Sequence, residues 1–367
     1  MQVDLEYRAR YFDNAATTPI DPRVVEEMLP FLGDSFGNAN SIHEPGRRAM
    51  AAVELARARV AEVVEADDPA EIVFTSGATE SNNWVLAIGR TTAASPFEHS
   101  SVRETNAHFG GTVIGNDGYQ LVELEVNPTC VAIMHVNNET GAILDLPPSI
   151  ETPDEKEGEA LMLLRDLTQS VGKVPLPSPV RCFFASMSAH KFYGPKGVGA
   201  LFCKGAIPKA WMHGGEHEYG LRAGTLNVPG IVGMGCAAAI AAEEAGKNSR
   251  LVEKLRALVL SEVDKIQDVQ LNSPQRSSPY IVSLSFLGVE GETLVVELDR
   301  RGFSISSGAA CSSRSSEPSH VLSALGMAPE WIRGTVRISF GKYNTEAAAT
   351  SLAKELRTAV EMLRTMH

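Results

Sequence analysis

Short apolar runs alternate with amphipathic helical stretches along residues 21–245 of this chain. The apolar runs are four to six residues long and each ends in polar residues; they lie at 71–74, 131–136, 161–164 and 182–187. This alternation predicts a parallel β-sheet covered by helices on both faces. Because ligands of such sheets gather at the carboxyl ends of the strands, the polar residues after each run are the first candidates for a site.

The last third of the chain follows a different pattern. Its predicted elements, after a Gly/Ala-rich stretch at 230–245, are a helix at 251–266, strands at 280–286 and 335–340, and a helix at 345–366. Strands and helices of this kind predict a smaller α+β domain. We therefore expect a large domain at 16–245 and a small domain made of 1–15 and 246–367.

Composition excludes several classes of protein. The 367 residues are 44% hydrophobic and 21% charged, which is typical of a soluble chain with a substantial core. A net charge of -12 argues against broad binding to nucleic acid or to an anionic membrane. The first ten residues lack the apolar segment of a secretory signal, and no apolar run reaches the ~18 residues of a membrane span. We expect a cytoplasmic protein with no membrane contact and no direct nucleic-acid contact.

The chain has five cysteines, an odd number without CxxC pairing, so neither a disulfide framework nor a zinc site is predicted. Those in apolar surroundings are expected to be small buried hydrophobes: Cys130, Cys182, Cys203 and Cys236. Cys311 differs, because serine, glycine and alanine surround it at 306–316. Such a segment can be mobile and can expose its thiol, as a reactive group or as an inert surface thiol.

Two residues after apolar runs suggest cofactor chemistry. Lys191, in the motif SMSAHKFYGPKG, can form a Schiff base with an aldehyde cofactor if it leaves water; taken alone, it is better interpreted as a solvated loop lysine. Asp166 can hold a pyridine nitrogen protonated, or it can simply cap a helix. Thr168 and Gln169 follow it with hydroxyl and amide donors for a ring oxygen and a phosphate.

The remaining candidate site residues are weak signals individually and gain weight only when taken together. The motif FTSGATESNN predicts a strand, a tight turn at Gly77 and a helix start that can bind phosphate, although Thr79 could merely cap that helix. His99 is a candidate aromatic lid over a flat ring, and Asn138 can reach a ring hydroxyl or a substrate carboxylate. Arg337 can clamp a carboxylate, or it can face water from an edge strand.

The ordered motifs resemble the NifS/IscS-type (group I) cysteine desulfurases, within the class V aminotransferase-like PLP enzymes. They are YFDNAATTP, FTSGATESNN, HVNNETG, TQSVGK, HKFYGPKGVGAL and GAAC. The resemblance implies the type I fold of PLP-dependent transferases, with a mainly parallel seven-stranded sheet in the large domain. It also implies conversion of L-cysteine to L-alanine, with the sulfane sulfur held as a persulfide on Cys311 and passed to an acceptor protein.

The same resemblance assigns roles to individual residues. Lys191 is implied to be the Schiff-base lysine, and His99 a ring-stacking residue that moves protons. The residues implied to bind pyridoxal 5'-phosphate are Lys191, Asp166, Gln169, Asn138, Ala78, Thr79, Ser188, His190 and Thr225. Thr225 would reach the phosphate of a second subunit, which implies a homodimer with shared active sites. Those implied to bind the substrate carboxylate are Arg337, Asn138 and Asn14.

Three departures from the family pattern stand out. Leu167, in RDLTQ, places a bulky side chain near the expected ring; Ala309 replaces a frequent serine; and the segment between His99 and Asn138 is short.

A selenocysteine lyase or a small-amino-acid aminotransferase of the same fold, or a non-catalytic scaffold, stays an alternative. The acceptor could serve iron–sulfur cluster assembly, tRNA thiolation or DNA phosphorothioation.

Overall fold

The computed structural model describes residues 4–122, 124, 127–147, 150, 161–177, 183–205, 207–307 and 318–365. Its α-helices are α1 (Leu5–Ala9), α2 (Pro22–Leu32), α3 (Glu44–Val63), α4 (Ala78–Ile88), α5 (Ser100–His108), α6 (Val228–Val263), α7 (Gly291–Arg300), α8 (His320–Ala324), α9 (Pro329–Arg333) and α10 (Glu346–Thr365). Its strands are β1 (Ile72–Thr75), β2 (Thr92–Ala94), β3 (Thr112–Val113), β4 (Asn116–Asp117), β5 (Gln120–Leu121), β6 (Cys130–Ala132), β7 (Met162–Asp166), β8 (Phe183–Ser188), β9 (Gly199–Lys204), β10 (Val269–Leu271), β11 (Ile281–Phe286), β12 (Ser306–Ser307) and β13 (Thr335–Ser339).

Seven strands form the central sheet, in the order β1-β9-β8-β7-β6-β2-β3. The five strands from β8 to β3 pair in parallel, and β9 runs antiparallel to both of its neighbours. The predicted mainly parallel seven-stranded sheet is thus confirmed, and the four predicted apolar runs become β1, β6, β7 and β8. The run predicted at 131–136 ends as a regular strand at Ala132, although His135 N–H still donates to the carbonyl of Asp166 at 3.1 Å.

Both faces of the central sheet are buried. On β8, Phe183, Ala185 and Met187 pack into one hydrophobic cluster, whereas Phe184 points into another on the opposite face. Side chains alternate along a strand, so a strand that is covered on both faces needs apolar residues at every position. This explains why the apolar runs of the sequence are continuous.

The second sheet is antiparallel, in the order β10-β11-β13-β12. A separate hydrophobic cluster covers it; its members include Phe12, Leu255, Leu294 and Leu352. The predicted strands at 280–286 and 335–340 and the terminal helix at 345–366 correspond to β11, β13 and α10. The boundaries of the two domains stay a prediction.

The predicted helix at 251–266 proved too short. The structure has one continuous helix, α6, that includes the Gly/Ala-rich stretch and spans 36 residues. The small residues serve close packing: a Cβ on Gly235 would lie 2.5 Å from the Cα of Ala56 in α3. By length and composition α6 could cross a membrane, and 67% of its most apolar 18-residue window is buried inside the fold, as in the core helix of a globular protein.

Candidate active site

A cavity of about 290 Å³ opens where β7 and β8 end and α4 begins. Many of the predicted site residues line it: Ala78, Thr79, His99, Asn138, Asp166, Gln169, Ser188, His190, Lys191 and Arg337. They are distant in sequence, and they meet because the carboxyl ends of parallel strands share one edge of the sheet. The cavity therefore gathers the chemistry that the motifs suggested separately.

Three predicted site residues are not among those that line the cavity. Asn14 is buried, and its amide nitrogen donates to the carbonyls of Tyr11 (3.0 Å) and Ser339 (2.9 Å), which pins the N-terminal segment to the second sheet. Thr225 is exposed, shortly before α6 begins. Cys311 lies outside the residues that the structure describes.

The amine of Lys191 is held at the cavity by two backbone acceptors. Lys191 ends a 3₁₀ turn that follows β8 directly. Its Nζ donates to the carbonyls of Ala15 and Ala16, each at 2.7 Å. These bonds orient the amine and tie β8 to the N-terminal segment.

Asp166, the last residue of β7, presents a carboxylate fixed by two donors. The backbone N–H of Thr168 donates to Oδ1 at 2.8 Å, and the side-chain amide of Asn82 donates to Oδ2 at 3.0 Å. The hydroxyl of Thr168 also lines the cavity, and in the described part of the chain this buried oxygen has no hydrogen-bond partner. Such an orphaned group is expected where a ligand completes the site.

His99 is the N-cap residue of α5. Its Nδ1 accepts the backbone N–H of Ser101 at 3.1 Å and lies 2.9 Å from the Ser101 hydroxyl. The preceding residue, Glu98, is fully buried, and this burial raises the pKa of its carboxyl to about 7. Glu98 Oε1 accepts from Met134 N–H at 2.6 Å, so the backbone on either side of the ring is firmly held.

The start of α4 forms an anion-binding corner of the cavity. No side chain caps this helix at Gly77, and the first N–H, of Ala78, donates to the Ser188 hydroxyl at 2.8 Å. The positive end of the helix dipole favours an anion here. Burial lowers the pKa of His190, at the same corner, to about 4, so its imidazole is neutral at physiological pH.

Arg337, on β13, faces inward rather than toward water, with 3% of its surface exposed. It donates to the carbonyl of Asn138 and to Oδ1 of Asp13, both at 2.9 Å. Its Nε is buried without a hydrogen-bond partner in the described part of the chain. The guanidinium therefore keeps a donor for another carboxylate. Leu167, expected near the ring, directly follows β7; it is buried in the hydrophobic cluster of the central sheet and is not among the residues that line the cavity.

Sequence reasoning missed several residues of the site. Ser101 lines the cavity, and Asn82 lies behind it, between Ser101 and Asp166. Helical spacing could have indicated Asn82, since it follows Ala78 by four residues on the same face of α4. Lys173 was also missed: it donates to Oε1 of Gln169 at 2.9 Å, which orients that amide.

The remaining titratable groups suggest no second site. Within the described ranges, no three His, Cys, Asp or Glu side chains converge as metal ligands. Cys130, Cys203 and Cys236 are free thiols and are buried. Burial raises the pKa of Cys130 to about 12 and that of Cys236 to about 11, so both are inert at neutral pH.

Known proteins resemble this chain over nearly its whole length. The sequence matches the family described as Aminotransferase class-V over residues 10–109 and 115–352. Two relatives named cysteine desulfurase IscS, from Dictyoglomus turgidum and Pectobacterium carotovorum, are 38% and 41% identical, over 98% and 96% of this chain and 96% and 93% of their own lengths. The solved structure of a NifS-like protein has a TM-score of 0.85 and 36% identity, and the match covers 96% of this chain and 99% of that one.

Proposed function

The chain belongs to the class-V aminotransferase family and is a cysteine desulfurase of the IscS type; from this premise we propose that its cavity binds pyridoxal 5'-phosphate and L-cysteine, and that Cys311 carries the sulfur. The observation that carries this proposal is that Lys191, Asp166 and His99 line one cavity. An amine and a carboxylate around one space are the groups that hold pyridoxal 5'-phosphate, and the imidazole adds a group that can exchange protons with the substrate.

The groups around the cavity fit the cofactor. The Asp166 carboxylate suits a pyridinium nitrogen, and the Lys191 amine suits an aldehyde carbon. The uncapped start of α4, with Thr79, Ser188 and the neutral His190, suits the phosphate. The orphaned Thr168 hydroxyl supplies a further donor. When bound, pyridoxal 5'-phosphate supplies an electron sink for bonds at the α and β carbons of the substrate amino acid.

The chain's own residues then orient the substrate and move its protons. Arg337 binds the α-carboxylate through N–H groups other than those that donate to Asn138 and Asp13, while Asn138 and Gln169 present amides to the same space. His99 accepts Ser101 N–H at Nδ1, which leaves Nε2 as the atom that takes and returns protons. The Cys311 thiolate would attack the substrate sulfur: a sulfur–sulfur bond forms as the carbon–sulfur bond breaks, the carbon keeps the electron pair of the broken bond and is protonated, and L-alanine leaves.

Partner and location complete the proposal. Exposed Thr225 and the strongly exposed apolar residues Phe36 (81%) and Ile42 (90%) support a homodimer in which each subunit completes the other's phosphate site. The persulfide passes to an acceptor protein of the cytoplasm. A large domain at 16–245 would carry the cofactor, and 1–15 with 246–367 would carry Cys311.

The test follows cofactor attachment and sulfur release separately. Borohydride reduction of the holoenzyme should fix the cofactor on the peptide that contains Lys191. Cys311→Ala should keep the cofactor spectrum and lose persulfide and alanine formation, whereas Cys236→Ala, which removes a buried thiol, should keep both. Alanine formation from cysteine that persists in Cys311→Ala would overturn Cys311 as the sulfur carrier and favour a selenocysteine lyase. Formation of a keto acid from the amino donor would favour an aminotransferase, and label on another lysine would overturn the assignment of the cavity.

A further inference from the structure

A continuous chain of hydrogen bonds joins Asp166 to the ring of His99. The side-chain nitrogen of Asn82 lies 3.0 Å from Oδ2 of Asp166 and 3.0 Å from Oγ of Ser101. Oγ of Ser101 lies 2.9 Å from Nδ1 of His99. Asn82 and Ser101 are completely or almost completely buried, so water does not compete for these bonds.

The direction of every bond in this chain follows from the carboxylate. An ionised carboxylate only accepts hydrogen bonds, so Asn82 must turn its NH₂ group toward Asp166. The second hydrogen of that NH₂ group points to Oγ of Ser101. This orientation leaves one polar atom unsatisfied: Oδ1 of Asn82 is buried and has no hydrogen-bond partner within the described residues. Flipping the amide would place that oxygen against the carboxylate of Asp166.

Because Ser101 Oγ accepts from Asn82, its own hydrogen is available for Nδ1 of His99. The backbone N–H of Ser101 donates to the same nitrogen at 3.1 Å. Two donors therefore converge on Nδ1, which must carry a lone pair and no proton. The proton of the neutral ring is then on Nε2.

We propose that Asn82 and Ser101 are positioning residues that fix the tautomer of His99 and restrict its proton exchange to Nε2. This inference rests on the proposed role of His99 as the proton carrier, and it adds what keeps the ring in its working form. The hydroxyl of Ser101 also stabilises the neutral ring, because this hydroxyl and the backbone N–H of Ser101 can donate to Nδ1 only while that nitrogen carries no proton. Asp166 thereby influences His99 without touching it.

Other charged groups near the ring stay unchanged in the variants used to test this. They are Glu139 and His320, which interact electrostatically with His99, and Asp166, His190, Lys191 and Arg337, which share the cavity. A change in the titration of His99 can then be attributed to the hydroxyl that was removed.

The test is an NMR titration of ¹⁵N-histidine-labelled holoenzyme, with the His99 signal assigned from His99→Gln. In the wild type, Nδ1 should show the shift of an unprotonated nitrogen. Ser101→Ala should raise the pKa of His99 by about half to one unit, the equivalent of one net hydrogen bond. Ser101→Thr keeps the oxygen and should restore the wild-type value, and Ser100→Ala, one residue earlier in α5, should leave it unchanged.

Asn82→Ala should also raise the pKa of His99, and it should add little in the Ser101→Ala background, because its influence passes through the hydroxyl. The proposal is overturned if Nδ1 carries the proton in the wild type, or if Ser101→Ala titrates like the wild type. Equal shifts in Ser101→Thr and Ser101→Ala would overturn it as well. Full desulfurase activity in His99→Gln would instead contradict the proposed proton carrier, and the titration tests the hydrogen-bond chain independently of that result.

Discussion

A buried ion pair beside the anion-binding corner gives the sharpest stability prediction. Arg57 on α3 and Glu218 form two parallel hydrogen bonds of 2.8 Å, and their side chains are 3% and 0% exposed. Glu218 also accepts the backbone N–H of Phe74 on β1 at 2.7 Å. The same segment carries Arg222, which pairs with Glu80 in the first turn of α4.

The substitution Glu218→Gln keeps the shape of the side chain and removes its charge. The NH₂ group of the glutamine must then face either a guanidinium hydrogen of Arg57 or the N–H of Phe74, so at least one donor meets a donor. Among the residues that the structure describes, Arg57 then keeps the half-exposed Glu54 as its charged partner. Breaking a pair buried to this extent costs about 3–5 kcal/mol of unfolding free energy, because a desolvated charge is left uncompensated.

A solvent-exposed ion pair serves as the control. Lys254 and Glu346 form a pair of 2.7 Å whose side chains are 60% and 51% exposed. Glu346→Gln should cost at most about 1 kcal/mol, since water screens that pair. Urea denaturation of both variants, with the cofactor at the same saturation, measures the difference. If Glu218→Gln costs no more than Glu346→Gln, burial does not set the strength of these pairs and the reasoning is refuted.

Two further predictions concern pH and packing. Burial, with a contribution from Lys191, lowers the pKa of Lys173 from 10.5 to about 7. Between pH 7 and 10.5 the unfolded chain therefore binds more protons than the folded protein, so the free energy of unfolding rises with pH over this range. Lys173→Met should therefore stabilise the protein on the order of 3 kcal/mol at pH 7, with a gain that shrinks toward pH 10 in urea denaturation; a gain independent of pH would contradict this. Gly235→Ala places its Cβ 2.5 Å from Cα of Ala56 and should cost about 1–3 kcal/mol, whereas Gly246→Ala, at an exposed position in the middle of α6, should stabilise by up to about 1 kcal/mol. Equal thermal shifts in the two glycine variants would show that helix propensity, not the contact with α3, decides the effect.

The sequence alone could predict the sheet because its signal is redundant. Four of the seven strands, β1, β6, β7 and β8, read as apolar runs, and the polar residues that follow these runs mark the edge where the site forms. Lys191 and Asp166 could be brought together in this way without any contact being known. The motifs also indicated the start of α4 as an anion site, because a glycine directly before a helix lets a ligand approach the free N–H groups of the first turn.

Other features depend on contacts that no local pattern encodes. The Gly/Ala-rich stretch appeared to precede a helix, yet it is helical because its small residues allow α6 to approach α2 and α3 closely. Leu167 adjoins Asp166 in sequence, yet its side chain packs into the hydrophobic cluster of the central sheet and is not among those that line the cavity. Asn82 and Ser101 are ordinary helix residues until the folded chain brings both to Asp166 and His99.

Both hydrophobic clusters help to position the side chains of the cavity. Lys191, at the end of β8, bonds to the carbonyls of Ala15 and Ala16, and Ala15 packs into the cluster that covers the second sheet. Arg337 comes from β13 of that sheet and donates to the carbonyl of Asn138, which belongs to the central-sheet side of the cavity. Contacts between the central sheet and the second sheet with its N-terminal segment thus position both the amine that would hold the cofactor and the guanidinium that would hold the substrate. A change in how the two clusters pack must therefore alter cofactor attachment and substrate orientation together, even where no residue of the cavity is touched.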